Sequence, residues 1–340
     1  MILPLRLRRN AGALTANWRA LARMSGTAVC GAAIKADGYG LGAGWVATTL
    51  AETGCRDFFV ATWAEAEALA PLGLPGVAVL HGVREEDMAL ALSRIATPIL
   101  NTTAQAARWR AAGGGACHVM LDTGMNRLGM SEEDVVGGAM DGLAIDTLMS
   151  HLASADEDVA LNEAQRVRFA TMVGMVPAER YSLANSAGIA LGANYAFDLT
   201  RPGLALYGGV PRPELAGAIV QVATPEAQVL QRRTVRAGET VGYNATWTAP
   251  ADTEVAILNY GYADGYFRGF SGRGAALFDG AVLPLLGRVS MDLIAIDVSG
   301  HDIAEGDWLA IDYDIPRAAA LSGMSQYELL TGLGRRFERI

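Results

Sequence analysis

A chain of 340 residues with a hydrophobic fraction of 51% is long enough for two domains and too apolar to be disordered. Its 36 acidic and 27 basic residues leave a formal net charge of -9, without a basic run, which argues against nucleic acid or an anionic membrane surface as partner. Three cysteines, Cys30, Cys55 and Cys117, lack zinc-type spacing and sit in apolar surroundings, so they are expected to be buried and reduced, and no metal site is expected. The N-terminus is too short and too charged for a signal-peptide core, and no apolar run reaches the roughly 18–20 residues of a membrane span, so the expected location is the cytoplasm.

After a strand-like opening over residues 1–7, the spacing of Leu14, Trp18, Leu21 and Ala22 predicts a helix over 11–24, and 27–34 reads as a strand. Strand-like runs recur at 58–61, 77–81, 98–101, 117–122, 145–151, 181–185 and 199–207. Most are separated by helix-like stretches such as 63–70, ended by Pro71, and 162–173. Short, nearly continuous apolar strands alternating with helices are the signature of parallel βα units. The predicted class is α/β, with a (β/α)8 barrel of the TIM type over residues 8–212. Polar residues at the C-terminal ends of barrel strands form the active-site rim. Lys35 follows the first strand, Arg127 the fifth and Ser186 the seventh, while His151 ends the sixth and Arg201 lies at the eighth.

Past residue 212 the texture changes. Alternating segments at 218–223, 226–235, 253–259, 275–278 and 293–297 are punctuated by Gly-Glu, Asp-Gly and Pro, and helical spacing vanishes until the last stretch. A mostly antiparallel β domain is predicted over 213–340, joined by the strand of residues 1–7, with the boundary at Val210-Pro211-Arg212-Pro213.

Lys35 is the only lysine in the chain; every other basic residue is arginine. GC-rich codon usage alone depletes lysine, yet the survivor stands where an apolar run meets a Gly-rich turn. A desolvated lysine can lose its proton and condense with an aldehyde, which a guanidinium cannot do. A lone lysine on a strand end suits either a Schiff base with pyridoxal phosphate or carbonyl activation of the aldolase kind. Two stretches could hold a phosphate: Ala184-Asn185-Ser186-Ala187-Gly188, and Arg201-Pro202-Gly203-Leu204, with the Tyr39 hydroxyl nearby in sequence. Both fall at the last barrel strands, where barrels commonly place a phosphate site.

Seven motifs appear together: Lys35-Ala36-Asp37-Gly38-Tyr39-Gly40, Asp122-Thr123-Gly124-Met125-Asn126-Arg127-Leu128-Gly129, His151-Leu152-Ala153-Ser154-Ala155-Asp156, Ala184-Asn185-Ser186, Arg201-Pro202-Gly203, Gly261-Tyr262-Ala263-Asp264-Gly265 and Gly287-Arg288-Val289-Ser290-Met291-Asp292. In this order they make the chain resemble, nearly end to end, the bacterial alanine racemases, which are pyridoxal-phosphate enzymes of fold type III.

The resemblance implies two-base racemisation of L- and D-alanine for peptidoglycan. Lys35 would hold the cofactor and serve as one acid/base group, and Tyr262 would act on the opposite face of the substrate. Tyr39, Ser186, Arg201, Gly203 and Leu204 would bind the cofactor. Arg127 and the backbone N–H of Met291 would take the substrate carboxylate, and His151 with Arg201 would tune the base. Tyr260 and Tyr266 flank Tyr262 and are equal candidates without the resemblance. An arginine facing the pyridine nitrogen implies a weaker electron sink than a carboxylate would, which favours a racemase over a barrel decarboxylase of diamino acids. Serine or lysine remain alternative substrates, since a methyl group is worth only about 1–3 kcal/mol in a pocket. The resemblance also implies a homodimer with composite sites. Two departures stand out. Met120 replaces a lysine, often carbamylated, that orients the arginine in several members, and a phosphate-contacting tyrosine near the C-terminus has no clear counterpart.

Overall fold

The computed structural model describes residues 3–340, so Met1 and Ile2 of the predicted opening strand lie outside the described residues. The chain divides into two compact units: Gly12–Val220, and Gln221–Ile340 together with the N-terminal residues up to Ala11.

In the Gly12–Val220 unit a parallel sheet runs through Ala32–Ala33, Phe58–Val60, Val77–Val79, Thr97–Leu100, Cys117–Met120, Ile145–Met149 and Arg180–Ser182 in sequence order. Leu199–Thr200 pairs in parallel with Val29–Cys30, the first half of the first strand. Asp198 and Arg201 donate backbone hydrogen bonds to Tyr181 and Ala184 (3.0 and 2.8 Å), which joins the last strand to the seventh and closes an eight-stranded (β/α)8 barrel. The second, third and fifth strands are buried at every position, which is why they read as apolar runs and not as alternations. Ala11–Met24 buries Leu14 and Leu21, and its Asn17 is tied to the Val220 backbone in both directions at 2.8 Å.

Two expected strands are corrected. The run at 199–207 stops at Thr200, and Leu204–Tyr207 is a tight turn of 3-10 helix. Pro202 has no N–H to extend the ladder, and the Ser186 hydroxyl accepts the Gly203 and Ala205 N–H groups (3.0 and 3.1 Å), bending the chain away. Over 218–223 only Ala223 is extended, because Ala218 and Ile219 donate back to the Leu215 carbonyl.

The Gln221–Ile340 unit is built on Ala223–Val235, which pairs antiparallel with Leu5–Arg9, Trp308–Ile311 and Thr253–Leu258. From Thr253–Leu258 the sheet continues through Ile294–Asp297, Ala281–Leu286 and Ala275–Phe278 to Trp308–Ile311, so six strands close a second, antiparallel barrel. Glu338–Arg339 adds in parallel to Leu5–Arg9 at the edge. A register shift between Val229 and Gln231 lets the long strand turn from one set of neighbours to the other. Val235, Val241, Val255, Leu286 and Ala295 pack as one apolar cluster in this unit. All three cysteines are free and buried.

At the N-terminal end of the parallel barrel, Arg180 bridges Asp57 and Asp146, each at 2.9 Å. His118 lies 3.5 Å from the same Asp146, but its buried Nδ1 has no hydrogen-bond partner among the described residues. Burial outweighs the carboxylate and lowers this imidazole to about 4. An unfolded histidine takes up its proton below about 6.5, so stability from a neutral buried ring is present above that pH and lost as pH falls toward 4. The unfolding free energy from urea titrations should therefore fall less between pH 7.5 and 4.5 in His118→Gln than in the parent, the difference being on the order of 2–3 kcal/mol. Equal losses in both proteins would reject the assignment.

Candidate active site

Lys35 leaves the first barrel strand and is followed by an unusual backbone. Ala36, Asp37, Gly38 and Tyr39 all have positive φ (54°, 54°, 63° and 55°), one turn of left-handed helix. Such a turn costs roughly 1–2 kcal/mol per non-glycine residue, so it needs compensation. The compensation is local: the Asp37 carbonyl and carboxylate accept the N–H groups of Gly42 and Ala43 at 2.8 Å, and Gly38 N–H bonds to the Ile34 carbonyl at 2.8 Å. Glu65 supplies a further clamp. Its Oε1 accepts the Ala36 N–H at 2.7 Å and its Oε2 the Ala61 N–H at 2.7 Å, which ties the turn to the end of the second strand. Burial, then the Arg127 and Arg201 charges, lower the Lys35 pKa, with Glu65 opposing in part, so the amine is biased toward its nucleophilic form.

Tyr39 projects from this turn and stacks on Tyr207, with ring centroids 4.6 Å apart. Tyr207 is itself fixed through its hydroxyl to the Ala33 carbonyl at 2.8 Å. Gly203 passes directly beneath: a Cβ there would lie 2.3 Å from the Tyr39 hydroxyl oxygen. With the Gly203 N–H given to Ser186, the glycine contributes space, and the Ser186 hydroxyl keeps its own proton to donate. Leu204 opens the tight turn, so its N–H lies outside the bonding of that turn. Backbone N–H, two hydroxyls and a side-chain-free gap thus gather around Gly203.

The cations converge on the same rim. Arg201 is buried and donates to the Ser182 hydroxyl and the Ser150 carbonyl. Burial lowers it to about 10, which leaves it charged at neutral pH. His151 is pushed down to about 3 by burial and by the charges of Arg201, Arg127 and Lys35, so its ring is neutral. Arg127 is exposed on a loop whose base is stapled by Asp122 N–H to the Met130 carbonyl and Met130 N–H to the Met120 carbonyl, both 2.9 Å. One Asp122 oxygen accepts the N–H groups of Gly124, Met125 and Asn126 (2.9, 2.9 and 3.1 Å), and Arg168 bonds the Thr123 carbonyl at 3.0 Å. The loop therefore takes its shape from Asp122 and Arg168, with the Met120 side chain buried beneath it.

Tyr262 and Met291 belong to the other unit, where they lie on adjoining segments. Tyr262 N–H donates to the Ser290 carbonyl and Ala263 N–H to the Met291 carbonyl, both at 3.0 Å. Tyr260 and Tyr266 are fully buried and their pKa values are raised by that burial, whereas Tyr262 is half-buried with the Arg268 guanidinium 5.2 Å from its ring centroid. Burial thus separates three tyrosines that sequence spacing left equivalent. Met291 is 53% exposed, and its N–H makes no bond among the described residues. Sequence reading missed Glu65, Tyr207 and Arg268. Only Glu65 carried a local signal, as the last residue of the Thr62-to-Glu65 capping box.

Residues 10–211 match the family described as "Alanine racemase, N-terminal domain", and residues 222–340 match "Alanine racemase, C-terminal domain". An alanine racemase of Acidiphilium cryptum is 43% identical over 345 residues, covering 97% of this chain and 96% of that protein. One from Dinoroseobacter shibae is 44% identical over 338 residues, covering 96% and 95%. Among solved structures, alanine racemase from Bartonella henselae with covalently bound pyridoxal phosphate is similar with a TM-score of 0.91 at 32% identity, covering 100% of this chain and 99% of that one. The biosynthetic alanine racemase of Pseudomonas aeruginosa gives a TM-score of 0.90 at 30% identity, covering 100% and 99%. With both domain families matched across the two units and relatives similar along their whole length, the chain belongs to the alanine racemase family.

Proposed function

We propose that this chain interconverts L- and D-alanine with pyridoxal phosphate, supplying D-alanine for peptidoglycan in the cytoplasm. The single observation that carries the reading is the sole lysine of the chain, its pKa lowered by burial, on the turn that also presents Tyr39 over the gap that Gly203 keeps free of a side chain. The donor set fits the cofactor. Lys35 would hold it covalently, the Ser186 and Tyr39 hydroxyls and the Leu204 N–H would take its phosphate, and Arg201 would face its ring nitrogen.

When bound, the cofactor supplies a conjugated ring that delocalises the electron pair left on the substrate Cα. Arg201 keeps its proton at neutral pH, so it offers a hydrogen bond without passing a charge to its acceptor. Arg127 and the Met291 N–H bind the alanine carboxylate and set the Cα–H bond between two acid/base groups. The Lys35 amine, once released, holds or returns the proton on one face, and the Tyr262 phenol does so on the other. Neutral His151 adds no further positive charge to the rim.

The residues fall to a barrel domain over 8–212 that binds cofactor and a β domain over 213–340 that brings Tyr262 and Met291. We assign these two to the barrel of a second copy, in a homodimer with two composite sites.

Borohydride treatment of the holoenzyme should leave a reduced cofactor adduct on Lys35, and Lys35→Ala should lose racemisation and the visible imine band together. A Lys35→Ala protein that keeps the band would overturn the assignment. Tyr262→Phe should keep the band and slow racemisation by about 10²–10⁴-fold. Exchange of the alanine α-proton with deuterated water should survive for one enantiomer only, and equal loss for both would remove Tyr262 from its role. Scattering of the active enzyme should give the mass of a dimer, and a fully active monomer would exclude the composite site.

A further inference from the structure

The segment that carries Tyr262 turns on a buried charge. Asp264 is 0% exposed, and its Oδ2 accepts the Gly261 N–H at 3.2 Å. Arg336, near the C-terminus, closes on this carboxylate with a fork: Nε to Oδ1 at 2.6 Å and Nη2 to Oδ2 at 2.7 Å. Its remaining nitrogen, Nη1, donates to the Asp292 carboxylate at 2.7 Å. Asp264 lies two residues after Tyr262, and Asp292 directly follows Met291. One planar guanidinium therefore grips both segments. Their backbones already touch, since a Cβ on Gly261 would lie 2.3 Å from the Met291 carbonyl oxygen. The C-terminal segment is fastened in turn by Gly334 N–H to the Asp264 carbonyl at 3.3 Å.

We propose that Arg336 is a positioning residue for the racemase reaction: held between Asp264 and Asp292, it fixes the Tyr262 hydroxyl and the Met291 N–H in one register, so that base and carboxylate donor meet the substrate together. The inference rests on the roles given above to Tyr262 and Met291. An ion pair that only fastened the surface would be worth little, because Arg336 is 48% exposed and Asp292 equally so. What distinguishes this one is geometry. The fork to Asp264 leaves a single nitrogen pointing at Asp292, and only a rigid planar group can satisfy both at fixed spacing. A lysine at the same place neutralises Asp264 as a point charge but cannot hold the two carboxylates in register.

The test compares Arg336→Lys and Asp292→Asn holoenzymes with the parent, all rates counted per imine chromophore. Neither substitution leaves Asp264 without a cation, so both variants keep the condition for folding that a neutral residue at 336 would remove. Expected results are an unchanged absorbance band, a kcat/KM lowered about tenfold or more in Arg336→Lys, and a raised KM for alanine with a smaller change in kcat in Asp292→Asn. In a Tyr262→Phe background Arg336→Lys should lower kcat by much less than in the parent, because the group it aligns is gone. Parental kcat and KM in both variants, or losses that only follow the number of chromophores, would overturn the proposal while Tyr262→Phe remains impaired. A Tyr262→Phe enzyme of parental activity would instead overturn the reading of Tyr262 as a base, and this proposal with it.

Discussion

A half-buried primary amine that feels the charges of two guanidinium groups is the constraint around which the rim of the parallel barrel is arranged. Lys35 is half-buried, and its burial, then the Arg127 and Arg201 charges, lower its proton affinity. Cations so close would repel one another unless each were fastened from behind. Arg201 is fastened by Ser182 and the Ser150 carbonyl, and the Arg127 loop by the Asp122 cradle and Arg168. His151 stays neutral among them, so the rim gains a hydrogen-bonding ring without a further charge.

Holding the amine there also requires a backbone that ordinary sequences avoid. Four successive residues in the left-handed region turn the chain sharply after Lys35, so that Tyr39 returns to stack on Tyr207 over the gap left by Gly203. The strain is met by hydrogen bonds that Asp37 accepts and by Glu65, a capping residue of the Trp63–Leu69 helix whose carboxylate accepts the Ala36 N–H. A helix cap and the turn after Lys35 thus share one carboxylate. The second unit solves a related problem with a different device: Asp264 and Arg336 hold the Tyr262 turn from beneath, while its backbone leans on the Met291 segment.

Much of the fold was legible because a parallel barrel writes itself as short apolar runs at regular spacing, and Ala11–Met24 because its apolar residues repeat with helical period. Ala281–Leu286 and Trp308–Ile311 were not. The first has Pro284 in its middle and an exposed Val282, and the second is four apolar residues in a row whose alternating burial the residue types do not show, so neither sequence carries a period-2 signal. The run at 199–207 was over-extended because apolarity alone does not reveal that a serine seventeen residues upstream of Gly203 takes its N–H.

By itself the sequence determined the barrel class, the antiparallel second domain and the family, because these follow from local periodicity and from short motifs that keep their order. It also singled out Lys35, through composition alone. Tertiary structure decided what depends on distance between remote segments: which of three neighbouring tyrosines is open, what shapes the Arg127 loop where Met120 stands, and which arginine near the C-terminus closes on Asp264. Charge, burial and close approach are properties of the folded neighbourhood, and no periodicity in the chain encodes them.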